Sequence, residues 1–100
     1  MAAAPDTGFR LGVLMLETRF PRPVGDIGNP ASFPFDVIYD VVPGAPVGKV
    51  VTGHGLAPPL VTMFAERARW LERQGARLIT TGCGFMIPHQ RELCRAVTVP

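Results

Sequence analysis

The sequence predicts a parallel-sheet α/β fold, a three-layer sandwich. Three observations predict it. Leu11-Gly12-Val13-Leu14-Met15-Leu16 is an unbroken apolar run of strand length, as in a strand buried on both faces. Asp36-Val37-Ile38-Tyr39-Asp40-Val41-Val42 is β-branched and stops at the turn signal Pro43-Gly44. Strand, helix, strand, helix, strand then follow one another, the rhythm of a parallel sheet with right-handed crossovers.

Element by element, residues 1–10 read as a disordered lead-in and residues 11–100 as one partial α/β domain. The first strand is Leu11 to Leu16; Gly12 and the broken pattern after Glu17 argue against a helix there. Glu17 to Phe35 holds Pro21, Pro23, Pro30 and Pro34, each costing a helix interior on the order of 3 kcal/mol, so it is a loop. Phe20, Phe33 and Phe35 would anchor it, ordered, over the sheet edge. Asp36 to Val42 is the second strand, and Lys49-Val50-Val51-Thr52 a short extended piece. Pro58 and Pro59 open a helix. Leu60, Val61, Phe64, Ala65, Ala68 and Leu71 recur along it at helical spacing, Met63 and Trp70 widen the stripe, and Gly75 stops it. Arg77 to Thr81 is a strand, Gly82-Cys83-Gly84 a turn, and Met86 to Ala96 a helix that tolerates Pro88 in its first turn. Val97 to Pro100 begins another strand. Cut there, it leaves an exposed pairing edge, so the chain reads as the first part of a longer protein, and the edge would favour a homo-oligomer.

Composition narrows the function. One hundred residues, 47% apolar and 18% charged, describe a globular chain with a modest core. A net charge of +2 gives no nucleic-acid surface; Glu66 and Glu72 interleave with Arg67, Arg69 and Arg73 as local ion pairs on a solvated helix face. The longest apolar run is far short of the roughly 20 residues of a membrane span. Met1 to Gly8 lacks the features of a secretory signal, and two cysteines without a leader read as free thiols, so the inferred location is cytoplasmic. There is no Gly-x-Gly-x-x-Gly after the first strand and no P-loop.

The candidate site is Thr80-Thr81-Gly82-Cys83-Gly84-Phe85. A thiol where a strand passes into a helix faces the positive end of the helix dipole, which favours the thiolate. Glycines on both sides permit unusual backbone angles and let a ligand come near the main chain. In parallel sheets ligands bind beyond the carboxyl ends of the strands, so Glu17 and Thr18 should converge with Thr81 to Gly84 on one crevice. Cys94, at a spacing that suggests burial, reads as an inert core thiol. His89 with Cys83 and Cys94 does not make a four-ligand zinc site, so no metal is expected. His54 reads as an exposed loop residue, and Tyr39 and Asp40 as structural hydrogen-bonding groups.

Taken together, these segments resemble the amino-terminal half of the aspartate/glutamate racemase superfamily. The matching stretches are Gly12-Val13-Leu14, Arg22 to Pro30 with Phe33-Pro34-Phe35, Val37 to Ala45, Gly75-Ala76, and Ile79 to Phe85. The resemblance implies one half of a two-domain fold and a racemase or isomerase without cofactor. Its substrate would be a small carboxylate-bearing compound: an amino acid, hydantoin or dicarboxylate. Cys83 would be one of two proton-transfer residues, one on each face of the substrate carbon. Backbone amides from Gly82 through Gly84 to Phe85, with the Thr80 and Thr81 hydroxyls, would hold the carboxylate, joined by Glu17, Thr18 and Asn29. The partner cysteine would belong to a missing carboxy-terminal half, leaving this chain alone inactive. The alternative is a non-catalytic small-molecule-binding or interaction module on the same scaffold.

Overall fold

The computed structural model describes residues 8–50 and 55–100. The lead-in expected over Met1 to Thr7, and the expectations for Val51, Thr52 and His54, lie outside the described residues. Strands β1 (Arg10–Glu17), β2 (Asp36–Pro46) and β3 (Leu78–Thr81) form a parallel sheet in the order β2-β1-β3. The parallel α/β architecture is therefore present. The central place of β1 explains its composition, because Leu11 to Leu16 must be covered from both sides. Alternation divides that run: Leu14 and Leu16 join one apolar cluster, while Leu11, Val13 and Met15 join another.

The first cluster lies beneath helix α2 (Pro58–Arg73). Two prolines open the helix, and Gly75 ends it at φ +99°, a conformation that favours glycine. Phe64, Ala68 and Leu71 are its buried stripe, and Met63 and Trp70 rest on the same cluster from its margin. Gly12 is the point of closest approach: a Cβ there would stand 3.0 Å from the Cβ of Ala76 and 3.1 Å from the Leu71 side chain. Lys49 and Val50, expected to be extended, belong instead to the single turn α1 (Val47–Val50).

The second cluster is covered by the proline-rich segment. Ile27, Phe33 and Phe35 pack there with Phe9, the rings of Phe9 and Phe35 meeting edge to face at 4.9 Å. The loop thus lies over a sheet face rather than the edge. The physical reason is that Leu11, Val13 and Met15 need a cover there and the prolines forbid a helix. Phe20, expected as an anchor, is 56% exposed, with the Arg22 guanidinium 4.6 Å from its ring centroid. Arg22 instead organises the loop. It donates to Thr18 Oγ1 at 2.8 Å and to Asp26 Oδ1 at 3.1 Å. The Gly28 N–H and Arg22 hold the Asp26 carboxyl below its ordinary value. Tyr39 donates its hydroxyl to the Ile27 carbonyl at 2.7 Å, tying β2 to the loop; burial, then the Asp26 charge, pushes its phenol up.

The arginines on α2 do not form the expected pairs along the helix. Arg67 reaches β2 and grips both oxygens of Asp40, with Nη2 at 2.9 Å from Oδ1, while its guanidinium stacks 4.8 Å from the Trp70 ring. The bond to Asp40 holds the Arg67 proton more tightly than usual. Arg69 donates to the Ala96 carbonyl at 3.2 Å. Among the described residues, no helix is long and apolar enough to cross a membrane.

Val97 to Pro100 carries no strand, although the Pro100 carbonyl accepts from the Ile79 N–H at 2.9 Å. Glu72 holds this segment by accepting from the Thr98 hydroxyl and, at 2.7 Å, from its N–H. The hydroxyl bond, then the backbone bond, keeps the Glu72 carboxyl below its ordinary 4.5. Because the folded value is the lower one, this tie is fully present above the ordinary value and is lost as pH falls through the folded value. The Thr98 amide resonance is expected to shift in an acid NMR titration with a midpoint below 4.5. An acid shift of the same size in Glu72→Gln would assign it to another group.

A half-buried thiol at the carboxyl edge of the sheet

All three strands run the same way, so Glu17, Pro46 and Thr81 end on one edge of the sheet. Glu17 stands opposite Pro46 and Leu14 opposite Thr81. Beyond β3 the ladder continues for one bond, the Gly82 N–H donating to the Leu14 carbonyl at 2.8 Å. Cys83 follows in extended conformation, half-buried, with its side chain against the α2-side cluster. Its carbonyl accepts from the Thr81 hydroxyl at 3.1 Å and from the Met86 N–H at 3.2 Å. The thiol is left out of both bonds. Met86 is 2% exposed, so the turn is bolted into the core three residues past the cysteine.

Two expectations about this turn need correction. The element after Cys83 is a six-residue 3₁₀ segment, Gly84–His89, and the helix proper, α3 (Gln90–Ala96), starts only at Gln90. Pro88 has no N–H for the Gly84 carbonyl four residues back and its ring would clash with it, so an α-helix cannot run on from Gly84 and the thiol does not cap a long aligned dipole. Nor do the flanking glycines adopt left-handed angles. Gly82 is closely packed instead: a Cβ there would stand 2.8 Å from the sulfur of Met15, whose side chain would have to shift. Around Gly84 a Cβ would meet nothing within 4 Å, so that side of the turn is open.

The other sequence candidates divide. Glu17 is exposed at the edge, its Oε1 accepting from the Gly44 N–H at 2.5 Å. Thr18 receives Arg22, and Asn29 caps the 3₁₀ turn Pro30–Ser32, accepting from Ala31 N–H at 2.9 Å and donating to the Arg22 carbonyl at 2.8 Å. Both polar ends of Asn29 are thus committed to the loop's own backbone. Thr80 and Thr81 line a cavity of about 180 Å³ between β3 and α3, while Phe85 lies in the 3₁₀ segment. Cys94 opens into the same cavity, exposed, with its sulfur accepting from Gln90 Nε2 at 3.3 Å. It is no core thiol, because the late start of α3 turns its phase outward. Among the described residues, no three His, Cys, Asp or Glu side chains gather as a metal site.

Sequence reasoning passed over Arg22 as a hub and His89 as an acceptor. His89 Nε2 takes the Leu56 N–H at 3.0 Å across 33 residues, a pairing with no local signature.

Comparison with known proteins overturns the family expectation. No family model matches the chain, and no solved structure does. Dimethylsulfoniopropionate lyase 7 of Emiliania huxleyi (strain CCMP1516) is 40% identical over 88 residues, 88% of this chain and 25% of that protein. Dimethylsulfoniopropionate lyase 6 of the same organism is 39% identical over 88 residues, 88% of this chain and 22% of that protein. A dimethylsulfoniopropionate lyase of Durusdinium sp. clade D is 32% identical over 83 residues, 82% of this chain and 27% of that protein. The chain spans about a quarter of the length of the curated relatives it matches. The relatives are lyases, so the resemblance to racemases, the racemase or isomerase activity and the non-catalytic alternative give way to similarity with dimethylsulfoniopropionate lyases.

Proposed function

We propose that the protein carrying this chain is a lyase that cleaves dimethylsulfoniopropionate, or a close β-sulfonio carboxylate, with Cys83 as the base. The observation that carries this reading is the 40% identity spread over 88% of the chain with a relative of that name. The substrate's chemistry fits a thiolate. A proton leaves the carbon beside the carboxylate for the sulfur of Cys83. Its electron pair becomes the carbon–carbon double bond, and the bond from the next carbon to the sulfonium breaks with its pair on sulfur. Dimethyl sulfide and acrylate result, and the thiol returns its proton to water. A sulfonium leaves as a neutral sulfide, so the demand on the protein is a placed base and neutralised end charges.

Gly84 and Phe85 head the 3₁₀ segment, where backbone N–H groups lack helical partners, and would hold the carboxylate. Glu17, exposed at the same edge, supplies negative charge for the sulfonium. Thr18, Asn29 and Gly82 serve the scaffold in this account, through the bonds and close contact described above. The test is incubation of the purified protein with dimethylsulfoniopropionate, with headspace gas chromatography for dimethyl sulfide and proton NMR for acrylate. Equimolar release of both is expected. Release no faster than in a protein-free blank sinks the lyase reading.

A further inference from the structure

His89 is half-buried at the end of the 3₁₀ segment that leaves Cys83, and its Nε2 accepts the N–H of Leu56 at 3.0 Å. A backbone N–H can only donate, so Nε2 must carry a lone pair, and the ring is neutral with its proton on Nδ1. Leu56 is only 8% exposed, so this N–H has little water to turn to if the imidazole gains a second proton. The approach is close: a Cβ on Gly55 would stand 3.3 Å from Nε2, and Gly55 sits at φ +77°.

From this geometry we propose that His89 is a positioning residue, a proton-sensitive clasp that fixes the Cys83 turn to the segment entering α2. The turn is fastened at several points, three of them through side chains. Thr81 holds the Cys83 carbonyl, Met86 is seated in the core, and His89 ties the far end to Leu56. Of these, only the last is made by an ionisable side chain, an imidazole. Gly55 and Leu56 present no ionisable side chain to the ring. Among the described residues no carboxylate forms an ion pair with it. The next charged residues along the chain, Arg91 and Glu92, are exposed on α3. Among the described residues, no ion pair takes the place of the lost bond.

The positioning role rests on the proposed role of Cys83, but the clasp can be measured without turnover. In the protein, the Leu56 amide protection factor, corrected for intrinsic exchange, is expected to fall on the order of tenfold from pH 8 to pH 5. In His89→Gln, whose amide oxygen accepts at every pH, it should stay flat. Nitrogen-15 NMR of the ring at pH 8 should show Nδ1 protonated and Nε2 bare. Equal pH responses in both proteins, or an Nε2-protonated ring, would overturn the clasp. If dimethyl sulfide release does not follow Leu56 protection in the wild type, or His89→Gln retains the full acid loss, the positioning role fails while the clasp stands. Absence of any dimethyl sulfide release would count against the lyase reading alone.

Discussion

Phe64→Ala is expected to destabilise the fold by about 3–5 kcal/mol. Phe64 is fully buried, the largest such side chain, in the middle of α2 and in one cluster with Leu14, Leu16 and Val42. That cluster is what seats the helix. Ala57 at the helix start offers no side-chain cap, so α2 gains its place mainly by burying its stripe. Removing the ring loses its transfer free energy and leaves a hole that Leu71 and Ala68, themselves buried, cannot close without moving the helix. Domains of ordinary stability hold about 5–15 kcal/mol, so the variant should be near the edge of unfolding. Urea unfolding followed by Trp70 fluorescence measures it, because Trp70 is packed against the same cluster. A loss below about 1 kcal/mol, the scale of a well-tolerated core swap, would mean that α2 does not depend on this contact.

That helix was legible because its signals are local. Two prolines, a stripe at helical spacing and Gly75 lie within one short stretch, and β1 announced its central position by six apolar residues in a row. What the sequence hid depends on partners far along the chain. Arg67 has acidic neighbours in sequence but pairs with Asp40, 27 residues away. The proline-rich loop shows its aromatic anchors, yet which side of the sheet they cover follows from the alternation within β1 and the face taken by α2. Cys94 looked buried because a helix counted from Met86 gives it the wrong phase; the 3₁₀ segment consumes six residues first. At the site, the strand, the turn and the thiol were readable, while the pairing of His89 with Leu56 was not.

The function went astray for a chemical reason. A cysteine turn at a strand's carboxyl end, taken with the carboxylate substrate that the racemase resemblance implies, offers a thiol that can take a proton. It does not say what happens to the electrons afterwards. With a sulfonium on the adjacent carbon, they form a double bond and expel the sulfide. That distinction lies in the substrate, and the proposed elimination rests on the 40% identity to a dimethylsulfoniopropionate lyase, not on the turn.

Cys83→Ser is therefore the most discriminating change at the site. Turnover of dimethylsulfoniopropionate is expected to fall about 10²–10⁴-fold, the usual contribution of a positioned base, which corresponds to roughly 3–5 kcal/mol of barrier. A serine hydroxyl is nearly isosteric but does not ionise near neutral pH, so it can occupy the position without taking the proton. The turn itself should survive, because the bonds to Thr81 and Met86 come from the Cys83 carbonyl and not from its sulfur. Unchanged circular dichroism and an unchanged urea midpoint would establish that. Cys94→Ser provides the matched control: its thiol is exposed, its sulfur takes one hydrogen bond among the described residues, from Gln90, and its loss should leave the rate within about twofold, an energy change below about 0.5 kcal/mol. If Cys83→Ser keeps more than half the wild-type rate, the base is another group. If Cys94→Ser instead stops the reaction, the proton leaves from the cavity behind β3 rather than from the open side of the turn.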